Sequence, residues 1–345
     1  MQRLVGRLAA ALWISALASP ASAISAPMSA VMAAEAPPSA PDPRIARLIG
    51  DYGPSSELLT IYESGGEAFA DGRGLHAALL KPAGPTRFVA RPPDRPAIDL
   101  TFEPGPQAPA VILAGERLAR RDVGADVVVA IRAGIHADPA KVRAAALAAS
   151  PPHEPPPKRS SDLVDIASID PTIRFDIRYA TADNFMGFPL YERPAAYLQR
   201  PAAEALGRVQ RALRARGYGL LVHDAYRPWF VSKMFWDTTP PDSHMFVADP
   251  AAGSRHNRGC AVDLTLYDLA SGQPVEMTGR YDEMSRRSYS DYGGGTGRQR
   301  WARDLLRRAM EREGFEVLPE EWWHFDYKDW RNYGIGDVPF DALAH

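Results

Sequence analysis

Two patterns of apolar and polar positions divide this chain. From Arg44 to about Arg132, short apolar runs are cut by Gly and Pro every few residues: Leu58–Tyr62, Phe69, Thr86–Val89, Ile98–Phe102, Val111–Leu113 and Val127–Val129. Short strands at such close, turn-punctuated spacing predict a small antiparallel barrel or sandwich. Asp138-Pro139 then supplies a helix cap and a first-turn proline, which predicts a helix over Ala140–Ala149.

Beyond Asp162 the period changes. Leu163–Ile166 and Ile173–Tyr179 alternate as strands do. Pro201–Arg216 places Ala205, Leu206, Val209 and Leu213 on one stripe, with Gly217 as a stop, and is a predicted helix. Gly219–Asp224 and Cys260–Leu266 are predicted buried strands. Trp301–Glu313, closed by Gly314, is a second helix, and Phe315–Tyr327 contains the last strand. The fold class expected is α+β: a mixed α/β domain with an antiparallel sheet, preceded by a small all-β barrel-like domain. Between them Pro151–Ser161 carries five prolines in its first seven positions, which stiffens it into an extended spacer with a solvated His153.

Composition narrows the function. The 345 residues are 46% hydrophobic and 24% charged, ordinary for a soluble globular protein. A net charge of -2 offers no electrostatic reason for a nucleic-acid partner. A single cysteine, Cys260, excludes an internal disulfide framework and a cysteine-rich zinc site, so any metal is held by His and carboxylate.

At the start of the chain, Arg3 and Arg7 precede an apolar run from Leu8 to Ala18, then Pro20 and Ala21-Ser22-Ala23. That is the layout of an export signal over residues 1–23, and its apolar run is too short to span a bilayer comfortably. Residues 24–43, rich in Ala, Pro and Ser, are expected to be a disordered spacer. The expected organisation is therefore signal 1–23, spacer 24–43, β-domain 44–150, proline-rich linker 151–161 and a catalytic domain 162–345. The destination is the periplasm or cell envelope, with no stable membrane insertion once the signal is cleaved.

The candidate chemistry lies in two stretches of the second domain. Ser254-Arg255-His256-Asn257-Arg258-Gly259-Cys260-Ala261-Val262-Asp263 offers an imidazole and a carboxylate on either side of a glycine that permits a tight reversal. On spacing alone, His256 and Asp263 are either metal ligands or a hydrogen-bonded pair. Glu321-Trp322-Trp323-His324 adds a second imidazole and a spare carboxylate. Two imidazoles and one carboxylate that leave a position open to water suit a catalytic zinc, and Glu321 is the candidate to take a proton from that water. Residues i and i+3 of a strand face opposite ways, so this set requires a bulge or strand end at Trp322-Trp323. Arg227, held extended by Pro228, is either an oxyanion stabiliser or the partner of Asp224 in a salt bridge.

Together these residues resemble the zinc D-alanyl-D-alanine dipeptidases of the vancomycin-resistance type, over about residues 162–335. The likeness is carried by Tyr179-Ala180-Thr181-Ala182-Asp183-Asn184-Phe185-Met186-Gly187, Tyr226-Arg227-Pro228, Ser254-x-His256-x-x-Gly259-x-Ala261-x-Asp263, Arg280-Tyr281-Asp282 and Glu321-Trp322-Trp323-His324. The resemblance implies one zinc per chain on His256, Asp263 and His324. It makes Glu321 the general base and then acid, and Arg227 the oxyanion stabiliser. Asp282 becomes the acceptor of the substrate ammonium, and Ser254 lies where the substrate carboxylate is met. A buried carboxylate at Asp282 also makes sense by itself, since it selects a charged amine and rejects peptides that lack one there.

Cys260 fits as a small packed residue, because the ligand set is complete without it. The implied partner is a small dipeptide from the cell wall. Two alternatives are a D,D-carboxypeptidase trimming longer wall peptides and a non-catalytic module that binds wall fragments; the latter would tolerate Glu321→Gln.

The first domain resembles the small β-domain appended to some secreted serine hydrolases and peptidases. That likeness rests on Leu48–Gly53, Ile61-Tyr62-Glu63 and Arg120-Arg121-Asp122. It holds no convergent acid, base or metal set, and His76 and His136 stand alone, so an accessory role is expected.

Overall fold

The computed structural model describes residues 36–92, 95–135 and 138–343. The expected export signal, most of the spacer and His136 lie outside the described residues. After a single helical turn, α1 (Pro43–Ala46), eight strands follow as an antiparallel meander. They are β1 (Gly50–Tyr52), β2 (Leu59–Ser64), β3 (Glu67–Gly72), β4 (Leu75–Pro82), β5 (Arg87–Ala90), β6 (Ile98–Phe102), β7 (Ala110–Leu113) and β8 (Glu116–Ala119). The ends nearly close. Gly53 N–H donates to Ala119 O at 2.9 Å and Arg121 N–H to Asp51 O at 2.8 Å. Alternating residues such as Leu59, Ile61, Leu100 and Phe102 fill the interior, as a period of two requires. His76 is exposed on β4.

The expectation of a strand at Val127–Val129 is corrected: these residues lie in helix α2 (Ala125–Ile135). Val128, Ile131 and Ile135, spaced by three and four, pack with the second domain, and this tertiary contact outweighs the β-preference of three valines. α3 (Pro139–Ala148) follows, with the Asp138 carboxylate accepting from the N–H groups of Ala140 and Lys141. The apolar cores therefore divide between Leu118 and Val127, and α2 and α3 belong with the second.

The proline run forms neither helix nor strand, and it is tied down as a strap. Glu154 pairs with Arg258 at 2.5 Å and accepts from Ile335 N–H, while Arg159 N–H donates to Asn332 O. His153 is exposed.

The second region contains β9 (Leu163–Asp165), α4 (Ile166–Ile169), β10 (Arg174–Phe175), β11 (Tyr197–Gln199), α5 (Arg200–Arg214), β12 (Tyr218–Asp224), α6 (Trp229–Thr238), β13 (Ala261–Asp268), α7 (Gly297–Arg312), β14 (Phe315–Leu318) and β15 (Glu321–Tyr327). The main sheet runs β10-β12-β13-β15-β14, antiparallel except for β10 beside β12. α5 and α7 pack on this sheet and on each other.

Two expected strands prove shorter. Ile166 opens α4, and only Arg174–Phe175 of Ile173–Tyr179 pairs. α7 begins four residues earlier than expected because Thr296 and Gln299 form a reciprocal capping box. α6 is unforeseen: six of its ten residues are buried, and its polar side is little more than the Lys233–Asp237 pair.

From Pro37 on, the chain forms one compact unit. The barrel meets the second region at the start of α7. The Glu63 carboxylate accepts from Gly66 N–H and Gly297 N–H, both at 2.7 Å, and Arg300 donates to Glu63 O. A carboxylate at a helix N-terminus also meets the positive end of its dipole. Among the described residues no helix is long and apolar enough to cross a membrane.

Candidate metal centre and active site

Register across three neighbouring strands builds the centre. Asp224 on β12 faces Asp263 on β13, and Asp263 faces His324 on β15. These three side chains thus lie in one row across the sheet. His256 arrives from the short turn before β13. That turn closes through Gly259 at φ +67°, where an added Cβ would stand 2.4 Å from Leu163 Cδ2. Asn257 pins it: its amide donates to Arg227 O and Ser232 Oγ, and its carbonyl accepts from Ser254 N–H.

His256 Nε2, Asp263 Oδ1 and His324 Nδ1 converge. The separations are 3.0 Å between the two nitrogens, 3.2 Å from His256 to the carboxylate and 3.1 Å from His324 to it. The outward nitrogens are occupied. His256 Nδ1 lies 2.6 Å from Ala225 O, and His324 Nε2 lies 2.9 Å from Asp326 Oδ1. Each acceptor claims the ring proton, which assigns a bare lone pair to each inward nitrogen.

Three lone pairs then face one point with no proton among them, and buried Asp263 Oδ1 has no hydrogen-bond partner among the described residues. Such an arrangement calls for a cation. Tetrahedral bonds of 2.0–2.1 Å would separate the donors by about 3.3 Å, close to what is seen. The donors therefore fit a divalent ion that accepts nitrogen and oxygen. Burial opposes ionisation of Asp263, and only positive charge beside it, on His256 and then His324 when these are protonated, holds its carboxyl below the usual range.

The remaining candidates line the same cavity of about 240 Å³. Glu321 opens β15, where Val317 pairs with Phe325 but Leu318 pairs with Glu321. Trp322–His324 have no opposite residues on β14, which is the bulge that the Glu321/His324 spacing requires. Glu321 Oε2 stands 3.7 Å from His324 Nδ1, and burial pushes its carboxyl up to about 7 even against the pull of a protonated His324. A bound cation would bring it back down.

Arg227 makes the salt bridge to Asp224, at 2.8 Å, and also borders the centre, 3.7 Å from Asp263 Oδ2. Its guanidinium lies over the rings of Tyr179 and Phe235. Asp282, at φ +55°, accepts from Tyr179 OH at 2.9 Å. Burial first, then the charge of Asp263, holds its carboxyl well above the ordinary range. Ser254 is buried at the rim, its Oγ accepting from His256 N–H. Cys260 is buried, its thiol pushed up to about 12 by desolvation, and it is not among the converging donors.

The family model described as D-ala-D-ala dipeptidase matches residues 159–334. The chain belongs to the D-Ala-D-Ala dipeptidase family. It is 34% identical to the D-alanyl-D-alanine dipeptidase of Escherichia coli (strain K12) over 176 residues, covering 51% of this chain and 90% of that protein. It is 36% identical to the enzyme of that name from Enterococcus faecium (46% and 87% covered) and 35% identical to that from Streptomyces coelicolor (49% and 93%). As a member of this family the chain is a metallopeptidase.

Two supporting contacts of this dipeptidase fold escaped the reading of the sequence. Asp326, two positions after His324 and so on the same strand face, was open to detection. Tyr281 donates to Asp263 Oδ2 at 3.1 Å, a contact with no local signature, whereas the hold of Asp224 on Arg227 is one of the two roles the sequence offered for that arginine.

Proposed function

We propose that this protein is a zinc-dependent dipeptidase that hydrolyses D-alanyl-D-alanine, or a closely related cell-wall dipeptide, to free amino acids. The observation that carries this reading is the meeting of His256 Nε2, Asp263 Oδ1 and His324 Nδ1 within 3.2 Å of one another, with Glu321 alongside. When bound by these three residues, zinc supplies Lewis acidity and an acidified water. Glu321 takes the proton from the attacking water and returns it to the leaving amine, a role its position at the mouth of the centre supports.

Arg227, fixed by Asp224, presents positive charge where the carbonyl oxygen turns anionic, an effect of about 3 kcal/mol in comparable sites. Asp282 receives the substrate ammonium, which restores a counter-charge to a carboxylate that burial disfavours. Ser254 meets the substrate carboxylate at the rim. The apolar walls supplied by Phe185, Phe235 and Trp323 exclude water from the cleft. Export by the N-terminal signal would bring the enzyme to wall-derived substrate in the periplasm or envelope.

The test is hydrolysis of free D-Ala-D-Ala by the wild type and Glu321→Ala, with metal content measured on both. Near one zinc per chain is expected in each, with activity down by about a thousandfold or more in the variant. Faster turnover of a wall pentapeptide than of the free dipeptide would instead favour the carboxypeptidase reading.

A further inference from the structure

The segment that leaves the barrel touches both loops around the proposed amine subsite. Gly124, at φ +85°, lies against the backbone of Met284: an added Cβ would stand 3.0 Å from Met284 O and 3.2 Å from Met284 N. Met284 closes the tight turn that carries Asp282. Within that turn the Glu283 carboxylate accepts from Arg280 N–H at 3.0 Å, and Ser288 Oγ donates to Glu283 O. Asp122, two residues before Gly124, pairs with Arg280 at 2.5 Å.

Eight residues after Gly124, in the last turn of α2, Arg132 grips the opposite loop. Its Nη2 donates to Asn184 O at 2.8 Å and its Nε to Phe185 O at 3.1 Å. The Phe185 ring lies 4.8 Å from that of Phe235 and edge-on to Tyr179, the residue that donates to Asp282. Asp282 also borders a second groove of about 1950 Å³, whose lining includes Asp122, Gly124 and Arg132. All three precede residue 159, where the family match begins.

We propose that the segment from Asp122 to Arg132 is a positioning brace that sets amine specificity, holding Asp282 and Phe185 so that the cleft takes a dipeptide with a free ammonium. This rests on the assignment of Asp282 as the ammonium acceptor. Asp282 sits at a positive φ that L-residues rarely adopt, so its turn holds only when its surroundings over-determine it. Gly124 leaves no room for the turn to relax outward. The guanidinium of Arg132 engages two successive carbonyls at once, a planar fork that lysine does not reproduce. The exposed Asp122–Arg280 pair adds little by itself.

The experiment uses the full chain with zinc bound and compares free D-Ala-D-Ala with its N-acetylated form, which cannot carry the ammonium. Arg132→Ala and Gly124→Ala are each expected to raise KM for the free dipeptide about tenfold, with kcat within about twofold and zinc content unchanged. The preference in kcat/KM for the free over the acetylated dipeptide falls in the same proportion. Arg132→Lys, which keeps the charge and one donor, recovers part of that preference. Asp282→Asn is run alongside and is expected to abolish the preference.

If Asp282→Asn abolishes it and Arg132→Ala and Gly124→Ala leave it intact, the brace is wrong and the Asp282 assignment stands. If Asp282→Asn leaves it intact, the assignment falls and the brace with it. Should Gly124→Ala fail to fold, Arg132→Ala decides, since it removes contacts without adding an atom.

Discussion

Both regions of this molecule bury carboxylates in a β-sheet, and they treat them in opposite ways. In the barrel, Asp51 and Glu63 are 4% and 3% exposed. Asp51 accepts from Thr60 Oγ1 at 2.7 Å, and each oxygen of Glu63 accepts from a backbone N–H at 2.7 Å. In the second region Asp263 is 2% exposed, yet its Oδ1 faces two bare imidazole nitrogens and no donor among the described residues. Burial of an acid is therefore not the functional signal. An acid whose lone pairs are met by its own fold is structural; one whose lone pairs are aimed at a gap, together with those of its neighbours, is built for something the chain does not contain.

Substituting the unsatisfied acid breaks the comparison most severely. Asp263→Asn keeps the shape but removes the negative donor. The metal content of the purified protein should fall from near one per chain to near zero, and dipeptide hydrolysis should fall by several orders of magnitude. Thermal unfolding of the metal-free protein should change by less than about 1 kcal/mol, because the lost carboxylate oxygen had no donor to leave stranded. A large loss of stability in metal-free Asp263→Asn would mean that the carboxylate is a structural acid after all.

How much of this was legible beforehand follows from where the information sits. His256, Gly259 and Asp263 lie within eight residues, and their turn is a local matter of a glycine at positive φ. The pairing of Asp263 with His324 is a register between strands sixty residues apart, and only the types of residue hinted at it. Trp322-Trp323 carries no mark of a bulge; the demand for one came from Glu321 and His324 needing the same side. α6 was invisible because a helix buried on most faces shows no period. Val127–Val129 misled because β-branched preference is weak beside the burial that Ile131 and Ile135 gain further along the same helix. The docking role of Glu63 had no local cue, since its second partner, Gly297 N–H, is more than two hundred residues away.

The satisfied acid of the barrel gives the intermediate effect. Glu63→Ala strands the N–H groups of Gly66 and Gly297 and removes a charge from the start of α7. Urea unfolding should show a loss of about 2–3 kcal/mol, while zinc content stays near one per chain. Loss of metal on Glu63→Ala would contradict the division between the two kinds of acid.

Cys260 gives the smallest effect and the sharpest control, since it lies inside the metal motif and three residues from Asp263. Its thiol is buried and pushed up to about 12, so at pH 8 it is protonated and shielded. A thiol reagent should find no reactive cysteine in the native protein and one per chain in denaturant, whether or not metal has been stripped. Cys260→Ala should cost about 1 kcal/mol by leaving a small cavity and should not alter metal stoichiometry. The metal-stripped protein is the informative arm, because a thiol that became reactive only when metal was removed would be a ligand. The centre would then draw on four side chains, leaving no open position for water.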